Sequence, residues 1–240
     1  MMKRFLIFFS VVSFSLTTMQ AQEKQDQNDL VFVGVSYGRA FSMGDFGDTD
    51  INNPDAGFAQ DGAKLDLYGG YNLTDKTILT ATFRYQNFET DIDNLANQVR
   101  EQNEGINFTA STEDWKVYSL LVGVAYKIPL FKKFSVYPRA AIGPMLVTNP
   151  GITITSPDVA ITQNFTRSSE TGFGLGFEAG IGFKTNLHKR FALMPTFTIA
   201  GGWATINDVV NTTDNASVNT DYQANVLSFN LGLSLAYRFY

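Results

Sequence analysis

The chain has 240 residues, 44% of them hydrophobic, 14% aromatic and 17% charged, with a formal net charge of −5. That size suits one domain, and a modestly acidic chain disfavours nucleic acid as a partner. Cysteine is absent, which excludes a disulfide framework and thiolate metal sites. Past the N-terminal segment, no run of eighteen apolar residues is present to form a transmembrane helix.

Residues 1–21 read as a signal peptide. Lys3 and Arg4 supply the positive start, residues 5–16 a short apolar core, and Met19, Gln20 and Ala21 a cleavage site. The apolar core is too short to span a bilayer comfortably. Residues 22–29 form a polar leader, and residues 30–240 carry the folded domain.

The first strand spans residues 30–42, with Val31, Val33, Val35 and Tyr37 on one face. A loop rich in Gly, Asp, Asn and Pro follows over 43–61. Strands at 62–72 and 77–89 flank a short turn. Their alternation sets Leu79, Ala81, Phe83 and Tyr85 against Thr80, Thr82, Arg84 and Gln86. Across that turn, Asp66 and Arg84 are expected to face each other as a cross-strand ion pair. Exchanging Asp66 and Arg84 is expected to be milder than either single alanine replacement.

Residues 90–113 are a long polar stretch. Ile92, Leu95 and Val99 recur at helical spacing within 91–104, and Gly105 suits a C-cap. Strands follow at 114–128 and 134–147, with a short turn at 129–133. Pro138 and Pro144 predict bulges or missing ladder bonds in the second of these. A polar loop at 148–168 precedes strands at 169–185 and 191–204, and another loop covers 205–224.

The last strand, 225–240, alternates strictly. Leu227, Phe229, Leu231, Leu233, Leu235, Tyr237 and Phe239 share one face; Ser228, Asn230, Gly232, Ser234, Ala236 and Arg238 share the other. It is longer than most soluble strands and matches the 9–11 residues that cross a bilayer as a tilted strand. On this reading Phe229 lies near mid-strand on the lipid face.

Connections therefore alternate long and short. Eight antiparallel strands with short turns at one end and long loops at the other describe an all-β, eight-stranded, up-and-down transmembrane β-barrel. Tyr37, Tyr71, Tyr85, Trp115, Tyr126, Trp203 and Tyr237 near strand ends suit interfacial girdles. A soluble lipocalin-like barrel is the alternative, with the apolar faces inside and Lys64, Asp66, Glu178 and Lys184 outside.

Over residues 30–240 the chain resembles the eight-stranded outer-membrane barrels of the OmpA, OmpX and OmpW type, within the broad porin-like β-barrel family of Gram-negative bacteria. Tyr237 and Phe239 match that family's C-terminal insertion signal, an aromatic residue on either side of one other residue. Tyr240 shifts the signal by one residue. The resemblance implies an outer-membrane location, insertion by the outer-membrane assembly machinery, periplasmic turns, extracellular loops, and outer-membrane lipid and lipopolysaccharide as neighbours.

Seven charged residues fall on the inward faces: Lys64, Asp66, Arg84, Arg139, Glu178, Lys184 and Arg238. An eight-stranded interior is just wide enough to be filled by side chains, and charges there must pair. They are expected to form a network that plugs the lumen; the alternative is an ion path. Gly174, Gly176, Gly180 and Gly182 leave one inward face bare. Tyr68 or Tyr137 filling that space, or a sharp bend, is weighed against a narrow solute cavity.

Five aspartates, Asp45, Asp48, Asp50, Asp55 and Asp61, make the first loop acidic. Asp48, Asp50 and Asn52 alternate as in some calcium loops, without the glycine and distal glutamate of an EF-hand. No metal set and no cofactor motif stands out, and nothing in the loops specifies their ligand. His188, the single histidine, sits in a short turn, away from anything resembling a Ser/His/Asp constellation. The leading expectation is a non-enzymatic structural or surface-interaction barrel. A narrow channel and a membrane-embedded lipid-modifying enzyme are the alternatives.

Overall fold

The computed structural model describes residues 31–102, 109–131, 134–156 and 164–239. The signal peptide at 1–21, the leader at 22–29, Leu30, Glu104, Gly105, Lys132, Lys133 and Tyr240 lie outside the described residues.

The strands are β1 (Val31–Ser42), β2 (Ala59–Asn72), β3 (Thr77–Thr90), β4 (Thr109–Thr112), β5 (Trp115–Tyr126) and β6 (Ile128–Phe131). They continue with β7 (Phe134–Thr148), β8 (Ile152–Thr155), β9 (Phe165–Arg167), β10 (Thr171–Asn186), β11 (Phe191–Thr213) and β12 (Ala216–Phe239). One helix, α1 (Ile92–Gln102), follows β3, and a 3-10 turn occupies Gly44–Gly47.

Eight strands make the wall, in the order β1, β2, β3, β5, β7, β10, β11 and β12, all antiparallel. The ring closes because β1 pairs with β12, from Val31↔Phe239 to Ser42↔Ser228. Closure satisfies the backbone polar groups along the seam, which hydrocarbon demands. Apolar side chains point outward, as at Val35 (54% exposed), Leu67 (59%), Leu120 (52%), Ile142 (55%) and Leu233 (54%). Lys64, Asp66, Arg84 and Glu178 are buried inside. This inside-out distribution rules against the soluble lipocalin-like alternative: an apolar wall stays exposed only where lipid covers it.

Proline acts through missing donors, without a bulge. The β7–β10 ladder runs unbroken from Thr171↔Thr148 to Thr185↔Phe134. Toward β5, pairing stops at Ser119↔Met145 and resumes in the same register at Val122↔Ile142, and the gap falls at Pro144. It ends at Ala125↔Arg139, one residue before Pro138.

Two expectations change at the long-loop end and one at the other. Residues 205–224, read as a loop, continue β11 and β12 as one hairpin, paired from Ile206↔Tyr222 and from Val209↔Thr220 to Thr213↔Ala216. Valine and threonine there favour extended backbone. Asp208 takes a left-handed conformation (φ 58°) at the irregularity between Ile206 and Val209, and its N–H donates to Asp221 Oδ1 at 2.9 Å. The loop at 148–168 contains β8 and β9, which join β4 and β11 in a sheet standing above the barrel. At the other end, residues 129–131, read as part of a turn, join Ile128 in β6 against β7.

Trp115 leaves the girdle. It shares parity with Val117, Ser119 and Leu121 and is buried inside (6% exposed). Tyr37, Tyr71, Tyr126 and Trp203 remain exposed on the outer face.

Candidate functional site

The lumen is the concave space this fold offers, and side chains close it at three levels. The upper level, beneath the long loops, is apolar. Phe46, carried by the 3-10 turn Gly44–Gly47, dips into the barrel. It packs edge-on against Phe88 (5.0 Å between ring centroids) and Trp115 (5.4 Å). Val117, Met145, Val147, Ile206 and Val226 surround them. Trp115 Nε1–H donates to Gly57 O at 2.9 Å, which ties the first loop to the wall. Nothing in the composition of residues 43–61 singled out Phe46 as a plug; its partners are distant in sequence.

The middle level is polar and charged. Asp66 and Arg84 are directly opposed on β2 and β3. Arg84 Nε and Nη2 donate to Asp66 Oδ1 (2.8 Å) and Oδ2 (3.1 Å). The same Nη2 donates to Glu178 Oε2 on β10. Since β2 and β10 lie four steps apart in the eight-strand ring, this arginine ties opposite walls together. Lys64 Nζ donates to Asp66 Oδ2 at 2.8 Å. A Cβ added at Gly232 would stand 2.9 Å from that ammonium, so the lysine needs this glycine. Arg139 Nε lies 2.8 Å from Glu178 Oε1, close enough for ion pairing but misaligned for a hydrogen bond.

Beside the charges, Gln86 Nε2 donates to Asn230 Oδ1 (2.9 Å) and Ser228 Oγ (3.2 Å), another link across the lumen. Strand parity placed these three residues inside; what joins them is the closure of the ring.

The lower level, near the short turns, holds Phe32, Tyr68, Ile78, Ala125 and Tyr137 around a cavity of about 30 Å³. Lys184 lines it, with Nζ 5.8 Å from the Phe32 ring centroid and 5.7 Å from that of Tyr137. Lys184 lies six residues beyond Glu178 on β10, toward the short turns. Arg238 is lower still: its Nη2 donates to the backbone oxygens of His188 (2.8 Å) and Lys189 (2.5 Å), clasping the last short turn.

Of the glycine row of β10, Gly182 borders the small lower cavity, while Gly174, Gly176 and Gly180 do not line it. A Cβ at Gly176 would stand 3.3 Å from Met145 Cβ, and one at Gly182 would stand 3.0 Å from Met194 Sδ. At Gly174 and Gly180 it would strike the backbone of β11. Methionines lie nearest at Gly176 and Gly182 and the β11 backbone at Gly174 and Gly180, and Tyr68 and Tyr137 share the lower cavity with Gly182.

Asp66 and Arg84 also each hold a second partner. Exchanging them would set an arginine beside Lys64 and an aspartate beside Glu178. The tolerance expected from an isolated pair is therefore replaced by repulsion at both ends.

In the first loop, the alternating carboxylates engage their own chain. Asp48 Oδ1 accepts from Asp50 N–H (3.1 Å), Asp50 Oδ1 accepts from Asn52 N–H (2.9 Å), and Asp48 Oδ2 accepts from Asn53 Nδ2 (2.7 Å). The Asn53 bond, then the Asp50 N–H, holds the Asp48 carboxyl below its ordinary range. Among the described residues, no three His, Asp or Glu side chains gather to hold a metal ion. Between this loop, α1 and the β8–β9 and β11–β12 hairpins lies a recess of about 550 Å³, lined by Ile51, Phe58, Leu95, Ile154, Phe165 and Arg167 among others. Its volume is that of a small-molecule site.

Tyr237 and Phe239, of the C-terminal aromatic pattern, pack edge-on (5.0 Å), with Phe191 against Tyr237 (5.4 Å). Tyr237 Oη accepts from Arg190 Nη1 at 3.0 Å.

A closed antiparallel barrel, apolar outside and filled within, defines the class: a transmembrane β-barrel. The chain belongs to the outer membrane protein beta-barrel domain family, whose model matches residues 9–239, and its location is the outer membrane. It is similar in fold to a major outer membrane protein from Thermus thermophilus, at 16% identity and a TM-score of 0.52, over 87% of this chain and 99% of that one. Neisserial surface protein A matches at 15% identity and a TM-score of 0.42, over 87% and 97%. Ail, the attachment invasion locus protein of Yersinia pestis, matches at 14% and 0.40, over 87% and 96%. No curated protein matches the chain.

Proposed function

We propose that this protein is a non-enzymatic outer-membrane barrel that acts through its surface: a closed wall holds the long loops outside the cell. The observation that carries this reading is the closed lumen. An apolar cluster around Phe46, a cross-barrel ion network at Arg84 and side chains around a small cavity below them fill the lumen among the described residues. The loops are elaborated instead, with a standing sheet, a helix and a recess large enough for a small ligand or an inserted side chain. Their exposed carboxylates, including Asp45, Asp50, Asp55 and Asp93, present a negative face.

On this reading residues 1–21 direct export, and Tyr237, Phe239 and Tyr240 engage the outer-membrane assembly machinery. The apolar belt contacts outer-membrane lipid, and Arg39, exposed among outward apolar residues near the long-loop end, meets the phosphates of lipopolysaccharide. His188 lies in the last short turn, where its carbonyl accepts from Arg238, far from the exposed loops.

The test is single-channel recording of the refolded chain in a planar bilayer with insertion verified. Inserted but silent protein is the expected result. Steady, discrete openings would replace this reading with a channel.

A further inference from the structure

The charge network is unbalanced. Lys64, Arg84 and Arg139 touch only two carboxylates, Asp66 and Glu178, among the described residues. All lie inside a lipid-embedded wall, where uncompensated charge is costly. In this network Arg84 Nη1 and both Nε and Nη2 of Arg139 are buried without a hydrogen-bond partner among the described residues. Arg139 also lines the cavity of about 30 Å³, together with Lys184, Tyr68, Tyr137, Thr80 and Thr82. Two cationic side chains, Arg139 and Lys184, thus border one small cavity, and no acidic side chain lines it.

From this arrangement we infer that the lower lumen binds one small monovalent inorganic anion of halide size, held by Arg139 and neighboured by Lys184. The anion supplies the missing negative charge and accepts from the orphaned guanidinium. A halide is a single atom, the smallest anion that can supply this charge; sulfate, phosphate and carboxylates are polyatomic and larger. The site lies near the short turns and is screened from the long-loop end by the ion network and the Phe46 plug. It does not depend on what the loops bind.

The experiment uses the folded barrel in detergent, crystallised and soaked in sodium bromide, with thermal unfolding compared in chloride and in gluconate at equal ionic strength. The expected results are an anomalous bromide peak beside Arg139 and a higher unfolding midpoint in chloride. Arg139→Gln is expected to abolish both. Ala125→Leu fills the same cavity and leaves every charge in place; it is expected to remove the peak and the chloride effect, and it carries the test if the arginine variant does not fold. Absence of the peak in the unmodified protein, or a chloride effect of equal size in Ala125→Leu, would overturn the inference, leaving a water in the cavity or anion action at the surface.

Discussion

Arg84 is fully buried and answers two carboxylates on opposite walls. Such a network is weak evidence of net stabilisation, because desolvation offsets the attraction, but removing one member strands the others. Arg84→Met is expected to cost about 3–5 kcal/mol, read from urea unfolding in lipid vesicles. The exchange of Asp66 for Arg and Arg84 for Asp is expected to be no milder than the single changes, because it opposes like charges at Lys64 and Glu178. A double-mutant cycle in the same assay measures this. In the first loop, Asp48 titrates below its ordinary value of 3.8 because Asn53 and Asp50 donate to it. A carboxyl depressed on folding stabilises the loop above that value, and the contribution is lost as pH falls through the lower folded value. Asn53→Ala is expected to return the Asp48 midpoint toward 3.8, followed by a side-chain NMR titration.

Each wall strand sorts its residues by parity, so the outer faces carry a depth-dependent tolerance to charge. In β12 the apolar stripe runs from Leu227 to Phe239, and Leu233 is its midpoint, paired with Tyr37 and Pro195. Phe229 pairs with Phe41, one residue from the end of β1, and lies close to Arg39, which pairs with Leu231. β12 continues past the wall toward the loops, so its own midpoint is not mid-membrane; pairing with the end of β1 sets Phe229 toward the rim. Leu233→Arg is expected to cost about 2–4 kcal/mol, and Phe229→Arg distinctly less, because the penalty falls toward the interface. Unfolding titrations of both variants in the same vesicles give the ordering; equal costs would contradict the assigned depth.

Taken whole, the molecule closes its lumen redundantly. Phe46→Ala removes the ring that fills the upper level, and is expected to cost about 3–5 kcal/mol as a buried aromatic deletion. It is also expected to remain silent in single-channel recordings, because Arg84 still bridges the walls beneath. Openings in that variant alone would show that the aromatic cap, and not the ion layer, is the seal. Charge is polarised along the same axis. Asp45, Asp50, Asp55 and Asp93 are exposed among the loops, while Lys76, Lys189 and Arg190 are exposed at the short turns.

Period-2 alternation in the sequence was enough to establish the strands, their lipid-facing stripes and the alternation of short and long connections. Lipid rewards one apolar face per strand, and that constraint is local. Parity likewise placed Lys64, Asp66, Arg84, Arg139 and Glu178 inside and opposed Asp66 to Arg84 across one short turn. Which charge meets which beyond that turn was decided only by closure of the ring, which brings Glu178 within reach of Arg84 from a strand on the far wall. The same holds for Gln86 with Asn230, for Phe46 under Trp115, and for the methionines at Gly176 and Gly182. These partners are remote in the chain, and no local periodicity encodes the distance between them. The continuation of β11 and β12 past the wall was also hidden: polar, threonine-rich segments look like loops until a partner strand satisfies their backbone.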